Sequence, residues 1–441
     1  MIFVFWSALF GAFALLFALG RKGLPLWARV LVALVLGGGA GFVFGEVAAQ
    51  AKPIGDAFIK LIRMLIIPLI VTTLTSGMIA LGDPRRLGSI GIRTVSLYMA
   101  TTVFAVVIGM LMGILFEPGA GVDYLSVDAS AQGSVTERLE RAVAAERSFV
   151  EQLLDVIPAN PLEAMVKDNI LSVIFFSIVL GMGILAAGEK GKPFGAAIES
   201  AAEVVLKITS GVMALAPYGV FALMAWVLGT QGLSVLANLG KLAAALYVAC
   251  LLQIVFVYGG IVRVVNNLPV LRFFRGILDA MSTAYSTASS SATLPVTIAD
   301  LTENIGVKKS IAGSVLPLGA TINMDGTSIY LGIVALFAAQ AVGLELSLTD
   351  YVTVAVTATA ASIGTAGIPS ASLFLAIAVL TAIGIDPKAA ILIVALIFPF
   401  DRLLDMMRTM TNVAGDAVVA TTVAKWEGEL DEGLLKSERA P

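Results

Sequence analysis

The sequence predicts an all-α membrane protein: several spanning helices, two re-entrant helical hairpins related by an inverted internal repeat, and one extra helix at the N-terminus. Three observations predict it. Of 441 residues, 58% are hydrophobic and only 13% charged, too few charges to clothe a water-soluble domain. Apolar runs of about 20 residues recur along the chain, the length a helix needs to cross hydrocarbon, and the short alternating strands of a membrane barrel do not occur. Finally, two small, hydroxyl-rich, proline-containing breaks each precede a helix carrying acidic and amide residues. The net charge of −3 is small, and no nucleic-acid partner is expected. A single cysteine, Cys250, excludes an internal disulfide, and the absence of histidine removes the usual proton relay and zinc ligand. Ion chemistry must therefore rest on carboxylates, hydroxyls and backbone carbonyls.

The first run, residues 1 to 20, lacks a basic leader and a small-residue cleavage site and reads as a true span rather than a signal peptide. Spans follow at about 26–44, 57–81 with Pro68 inside, and 90–115. The polar insertion at 117–169 contains VTERLERAVAAERSFVEQLLDVI, whose periodicity and mixed charge suit a solvated surface helix. Further spans are expected at about 170–187, 197–229 and 236–262. Arg21, Lys22 and Arg29, then Arg85, Arg86 and Arg93, then Lys190 and Lys192, then Arg263, Arg272 and Arg275 all fall on one side of the membrane in this scheme. The positive-inside rule makes that side the cytoplasm, with the N-terminus outside, the insertion outside and the C-terminal tail inside.

From residue 270 a simple alternation of spans fails. STASSSATLP (286–295) and ASIGTAGIPSAS (361–372) lie inside apolar stretches that can enter the membrane and return. The helices after them contain GATINMDGTSIY and FDRLLDMMRTMTNVAGD. Hairpin plus polar helix, twice, is the layout of secondary transporters, whose broken helices present freed backbone groups to ions and substrates. The chain divides accordingly into 1–25, an extra helix; 26–116, three further helices; the insertion 117–169; helices at 170–265; a core at 266–430; and a tail at 431–441.

The last polar helix repays a helical projection. With about 100° per residue and Asp405 at zero, Asp401 falls near −40°, Arg408 near −60°, Asn412 near −20°, Asp416 near +20° and Thr409 near +40°. All share one stripe, while Leu404, Met406, Met410 and Val418 lie opposite. A charge at the bilayer centre costs roughly 2.5 to 3.5 kcal/mol on insertion scales, so an aligned stripe points to an internal polar site. The bland alternative is that Asp405 and Arg408, three apart, only neutralise each other. Arg402 points elsewhere and reads as an anchor. In ATINMDGT, Gly319 and Gly326 permit an unwound backbone beside Asn323 and Asp325. Exposed carbonyls with a carboxylate and an amide suit a dehydrated monovalent cation, and sodium fits best. Tyr98, Thr101 and Thr102 add hydroxyls on one helical face.

SSSATLP (289–295), LPLGATINMDGT (316–327), ASIGTAGIP (361–369) and DMMRTMTNVAGD (405–416), in this order, resemble the glutamate transporter family, the dicarboxylate/amino acid:cation symporters. The resemblance implies a homotrimer in the plasma (inner) membrane, in contact with lipid, whose transport domain moves like an elevator past a fixed scaffold. It implies that Asp405 takes a substrate α-amino group and Arg408 a side-chain carboxylate. Asn412 and the Ser290 backbone would hold the α-carboxylate, and Thr327 and Thr409 would complete the pocket. For Na+, it implies one site from Asn412, Asp416, Gly319 and Asn323, and another from Tyr98, Thr101, Thr102, Asn323 and Asp325. A third, closed by the second hairpin, would use backbone oxygens at Thr321, Ser362, Ile363 and Thr365. Leu331 stands where eukaryotic acidic amino acid carriers have a glutamate, and Ala288 and Met406 stand where relatives place an additional arginine. The extra N-terminal span resembles the cystine-carrying branch.

The function expected is sodium-coupled symport of L-aspartate or L-glutamate, with no enzymatic activity. The competing readings are a sodium- or proton-coupled carrier of C4-dicarboxylates, cystine or neutral amino acids. A channel and an intramembrane hydrolase built on Asp325 and Asp405 are the readings from other classes.

Overall fold

The computed structural model describes residues 1–80, 84–122, 157–167, 170–231, 234–362 and 371–436. Most of the polar insertion and the tip of the second hairpin, with Ile363 and Thr365, lie outside the described residues. Those described are helical, with one isolated bridge between Val307 and Leu430. Five helices among them are long and apolar enough to cross a membrane, or six when one bent pair is taken as a single span.

The helices are α1 (Ile2–Arg21), α2 (Leu26–Phe44), α3 (Lys52–Leu69), α4 (Thr75–Ala80) and α5 (Pro84–Phe116). After the insertion come α6 (Pro161–Val166), α7 (Ile170–Ala186), α8 (Lys192–Met213), α9 (Ala216–Gln231) and α10 (Ser234–Leu252). The remainder is α11 (Val270–Gly276), α12 (Leu278–Thr287), α13 (Ser290–Asp300), α14 (Lys309–Ile322), α15 (Asp325–Val342), α16 (Leu348–Ser362), α17 (Ala371–Ala382), α18 (Pro387–Trp426) and α19 (Glu432–Lys436).

Two expectations about spans need correction. The single span at 197–229 is two helices, α8 and α9, meeting at an angle of 50°. Pro217, second residue of α9, marks the break: it has no N–H to give to the preceding turn and is favoured where a helix begins. The span carrying Pro68 starts earlier than expected, at Lys52, and widens into a π turn over Ile70–Leu74 directly after the proline. There the Thr72 hydroxyl donates to the Pro68 carbonyl at 2.8 Å and the Thr73 hydroxyl to the Leu69 carbonyl at 2.7 Å, each a back-bond to the residue four before it.

The two re-entrant elements are present. α12 and α13 lie along one another and are joined at Ala288, whose φ of +51° turns the chain, with the Ser289 hydroxyl capping α13 at the Ala292 N–H. α16 and α17 likewise pack together as the arms of the second hairpin. The helix after the first hairpin breaks at Asn323 and Met324, which separate α14 from α15, as the glycine-flanked sequence predicts.

The helices fall into two packed groups. α2, α3 and α9 form one, with α4, α7 and α8 alongside and α1 against α2. α5, α10 and everything from α12 to α18 form the other. Its densest seam joins α5 to α15, where Gly109 and Gly113 let the backbones meet: a Cβ on Gly109 would lie 2.9 Å from the Ile329 Cα. α18 is the axis of this group. Its 40 residues run about 60 Å, twice the hydrocarbon thickness, and Leu404, Met406 and Val418, on the apolar face of the projection, are buried in protein.

Two basic residues make tertiary contacts at one end of the helices. Arg93 pairs with Glu427 at 3.1 Å and donates to the Trp426 carbonyl, and Lys425 donates to the Asn266 carbonyl. At the other end Gln340 bridges Gly113 and Gly119, and Asn238 reaches Ala120.

Candidate functional site

The stripe on α18 faces inward along its whole length: Asp401, Asp405, Arg408, Thr409, Asn412 and Asp416 are all buried. Arg408 is its electrostatic centre. One nitrogen, Nη2, donates to Asp401 Oδ1 at 2.8 Å and to Asp405 Oδ1 at 2.9 Å, while the guanidinium stacks 4.1 Å above the Tyr330 ring of α15. The pairing of Asp405 with Arg408 that three-residue spacing offers is therefore real, but it is not the whole arrangement. Asp401 joins it, and two carboxylates share one guanidinium. Arg408 Nε and Nη1 and Asp401 Oδ2 are buried with no hydrogen-bond partner. Buried polar atoms are rarely left so, and planar donors on a fixed guanidinium are suited to a carboxylate.

The backbone makes room for this. Gly326, second residue of α15, sits against the Arg408 backbone, where a Cβ would lie 2.6 Å from the Arg408 Cα. Its N–H donates to Asn412 Oδ1 at 2.7 Å. The broken helix and the polar stripe are thus locked together at the point where the helix breaks. The remaining pocket candidates, Ser290 in the first turn of α13, Thr327 and Thr409, are buried. Hairpin one is pinned to α18 nearby: Arg402 Nη2 donates to the Thr287 carbonyl at 3.1 Å, which gives Arg402 the anchoring role expected for it.

Below Asn412 lie two further carboxylates whose partners are neutral. Asp416 Oδ1 accepts from Asn323 Nδ2 at 2.9 Å. A Cβ added at Gly319 would touch the Tyr98 hydroxyl at 2.5 Å and the Asp416 carboxylate, so Gly319, Tyr98, Asn323 and Asp416 adjoin. Asp325 Oδ1 accepts from the Thr102 hydroxyl at 2.8 Å, and Thr101 is the next residue along. Asn323 Oδ1 is buried without a partner. Buried carboxylates with only neutral donors and an unused amide oxygen form an oxygen cage suited to a hard cation. Among the described residues no cluster of three or more Asp, Glu or Cys converges on a point, so any ion held here relies on mixed carboxylate, amide, hydroxyl and carbonyl oxygens.

Of the third expected ion site, Thr321 lies near the end of α14 and Ser362 ends α16, while Ile363 and Thr365 lie outside the described residues.

Four residues at the site escaped the sequence reading. Asp401 was in the stripe but had no role, although its i−4 spacing to Asp405 was visible. Tyr330, Gln253 and Tyr258 come from helices whose polar residues are isolated in apolar runs, so no pattern singled them out. Gln253 and Tyr258 both reach Asp325, at 3.1 and 2.8 Å.

Residues 26–426 match the model of the sodium:dicarboxylate symporter family. The match begins at the first residue of α2 and leaves α1 outside. Among curated proteins, the chain is 34% identical over 407 residues to a proton/sodium-glutamate symport protein of Bacillus caldotenax, covering 92% of this chain and 95% of that one. It is 36% identical over 412 residues to a C4-dicarboxylate transport protein of Rhodospirillum rubrum, covering 93% and 90%. A C4-dicarboxylate transport protein 2 of Pseudomonas paraeruginosa is 35% identical over 415 residues, covering 94% and 93%. These relatives are transporters, not enzymes, and the multi-pass helical architecture, the two hairpins and the extent of the match agree: the chain belongs to the sodium:dicarboxylate symporter family.

Proposed function

We propose that this protein is a sodium-coupled symporter that imports L-aspartate or L-glutamate. The observation that carries the reading is the placement of Asp405 one helical turn from Arg408, both buried, on a face shared with Asn412. An acidic amino acid presents one positive and two negative groups. Asp405 suits the ammonium, the unused Nε and Nη1 of Arg408 suit the side-chain carboxylate, and Asn412 with the N–H groups at the start of α13, around Ser290, suits the α-carboxylate. Thr327 and Thr409 border the same space.

Sodium is the proposed coupling ion, bound as cargo at Asp416 with Asn323, Gly319 and Asn412, and at Asp325 with Thr101, Thr102, Tyr98 and Asn323. Because Asn412 contacts Gly326 and Asn323 contacts both Asp416 and the Asn412 carbonyl, substrate and ion would share ligands. Each then favours the other's bound state, which is the coupling free energy a symporter needs. The protein works as a homotrimer in the plasma membrane, N-terminus outside and C-terminus cytoplasmic. The group containing the hairpins and α18 carries the cargo past the group around α2 and α9 in an elevator movement.

A second reading, C4-dicarboxylate transport, is favoured by the relatives of that name, which are as similar as the glutamate carrier. It also has Asp405 held by Arg408 rather than waiting for an amine.

Uptake of labelled L-aspartate into proteoliposomes, with a sodium gradient, a proton gradient alone, or neither, tests both. Sodium-dependent accumulation blocked by L-glutamate but not by succinate is expected. Accumulation of succinate in place of aspartate would establish the second reading.

A further inference from the structure

Asp325 accepts from three neutral donors, and two of them come from one unusual turn. α10 leaves α-helical geometry at Gln253 and continues as a π turn through Tyr258. In an α-helix, residues five apart lie about 140° apart around the axis and could not address one carboxylate. A π turn closes its hydrogen bonds over five residues, so Gln253 and Tyr258 stack on one face. Both donate to Asp325 Oδ2, Gln253 Nε2 at 3.1 Å and Tyr258 Oη at 2.8 Å. The same Gln253 Nε2 also donates to the Thr101 carbonyl at 3.2 Å. Both side chains are fully buried, and Gln253 Oε1 has no partner.

The amide therefore spends its protons on two residues of the proposed cation site while its own oxygen is left unsatisfied. Gln253 and Tyr258 fill both lone pairs of Oδ2, so a cation that draws on Oδ2 as well as Oδ1 must displace one of these hydrogen bonds.

We propose that Gln253, assisted by Tyr258, is a built-in competitor for the coupling cation at Asp325: its amide protons hold the oxygens the cation needs, and its displacement sets how tightly the cation is held and how readily it leaves. This rests on the reading of Asp325 as a cation ligand. Gln253 and Tyr258 act through Asp325 and are positioning residues. A carrier must release its ion as well as bind it, and a protein group that retakes the ligands speeds release without altering the ligand set.

Hydrogen bonds to a charged group are each worth enough to shift an equilibrium about tenfold or more. Removing the competitor should therefore tighten cation binding, a direction that loss of packing does not produce. The experiment is equilibrium binding of radiolabelled sodium to the purified full-length protein without substrate, together with the sodium dependence of Tm, using choline to hold ionic strength. Gln253→Met should tighten sodium binding about tenfold and slow sodium release. Tyr258→Phe, which keeps the ring, should shift affinity the same way and serves if the first variant fails to fold. Unchanged or weaker sodium affinity in both variants overturns the proposal. Asp325→Asn separates the two claims. If it weakens sodium binding while the α10 variants do not tighten it, only the competitor role falls. If it leaves sodium binding intact, the cation reading of Asp325 falls and this proposal with it.

Discussion

Arg408 and Asp405, one turn apart on α18, form a fully buried ion pair at 2.9 Å, and the same guanidinium nitrogen holds Asp401 at 2.8 Å. Two carboxylates share this guanidinium, the buried Arg402 interacts with both of them, and two Arg408 donors are left unused. A cluster holding both signs, with donors to spare, can accept a ligand carrying both signs. Asp405→Asn removes the acceptor for an ammonium group, while Asp401 still orients Arg408. Amino acid uptake should fall below detection; succinate binding, read by competition, should be retained or improved. Unchanged aspartate uptake would remove Asp405 from the binding site.

Arg408→Ala tests the other partner. Truncating one member of a buried charge pair costs about 2 to 5 kcal/mol, because the remaining charge is left without compensation. Aspartate affinity should therefore fall by at least about thirtyfold, with small neutral amino acids gaining relative to acidic ones. Competition of labelled substrate by serine, alanine and glutamate gives the readout, and retained acidic preference would count against the assignment.

Gly326→Ala tests the junction between the broken helix and the stripe. An added methyl meets the Arg408 backbone, including its Cα at 2.6 Å, and neither helix can yield without moving the Gly326 to Asn412 hydrogen bond. Overpacking of this kind costs about 1 to 3 kcal/mol. A lowered Tm and loss of substrate binding together are expected. Loss of neither would mean that α15 and α18 move apart more easily than their contact implies.

How far the site was legible in advance depended on whether its residues formed a pattern. The α18 stripe was legible because six polar side chains recur at helical spacing in an otherwise apolar run, and the break at Asn323 because two glycines flank it. The hairpins were visible through their small hydroxyl residues. The bend between α8 and α9 was missed although Pro217 marked it, because the apolar run continues through the proline and hydropathy alone carries no angle. Gln253 and Tyr258 could not be found by periodicity, since five-residue spacing places them on one face only after the backbone widens into a π turn. Tyr330 is one aromatic among apolar neighbours, and only its contact with Arg408 separates it from packing.

Deleting residues 1–22 is the test of what α1 contributes. Its Phe3, Phe10 and Phe17 recur every seven residues and are 89%, 64% and 58% exposed, an aromatic stripe on the outer face. The opposite face buries Phe5, Leu9 and Leu16, with Phe5 edge-on to Phe44, and Phe13 meets Tyr218 and Phe221 of α9. Trp6 donates to Gln50 at 2.8 Å. All these partners belong to α2, the turn after it and α9, the elements α1 packs against, and the family match begins after α1. Sodium-dependent uptake per molecule should therefore persist within about twofold, while Tm falls by a few degrees through loss of the aromatic contacts. Complete loss of uptake in a folded, membrane-inserted variant would make α1 part of the transport machinery rather than an addition to its fixed side.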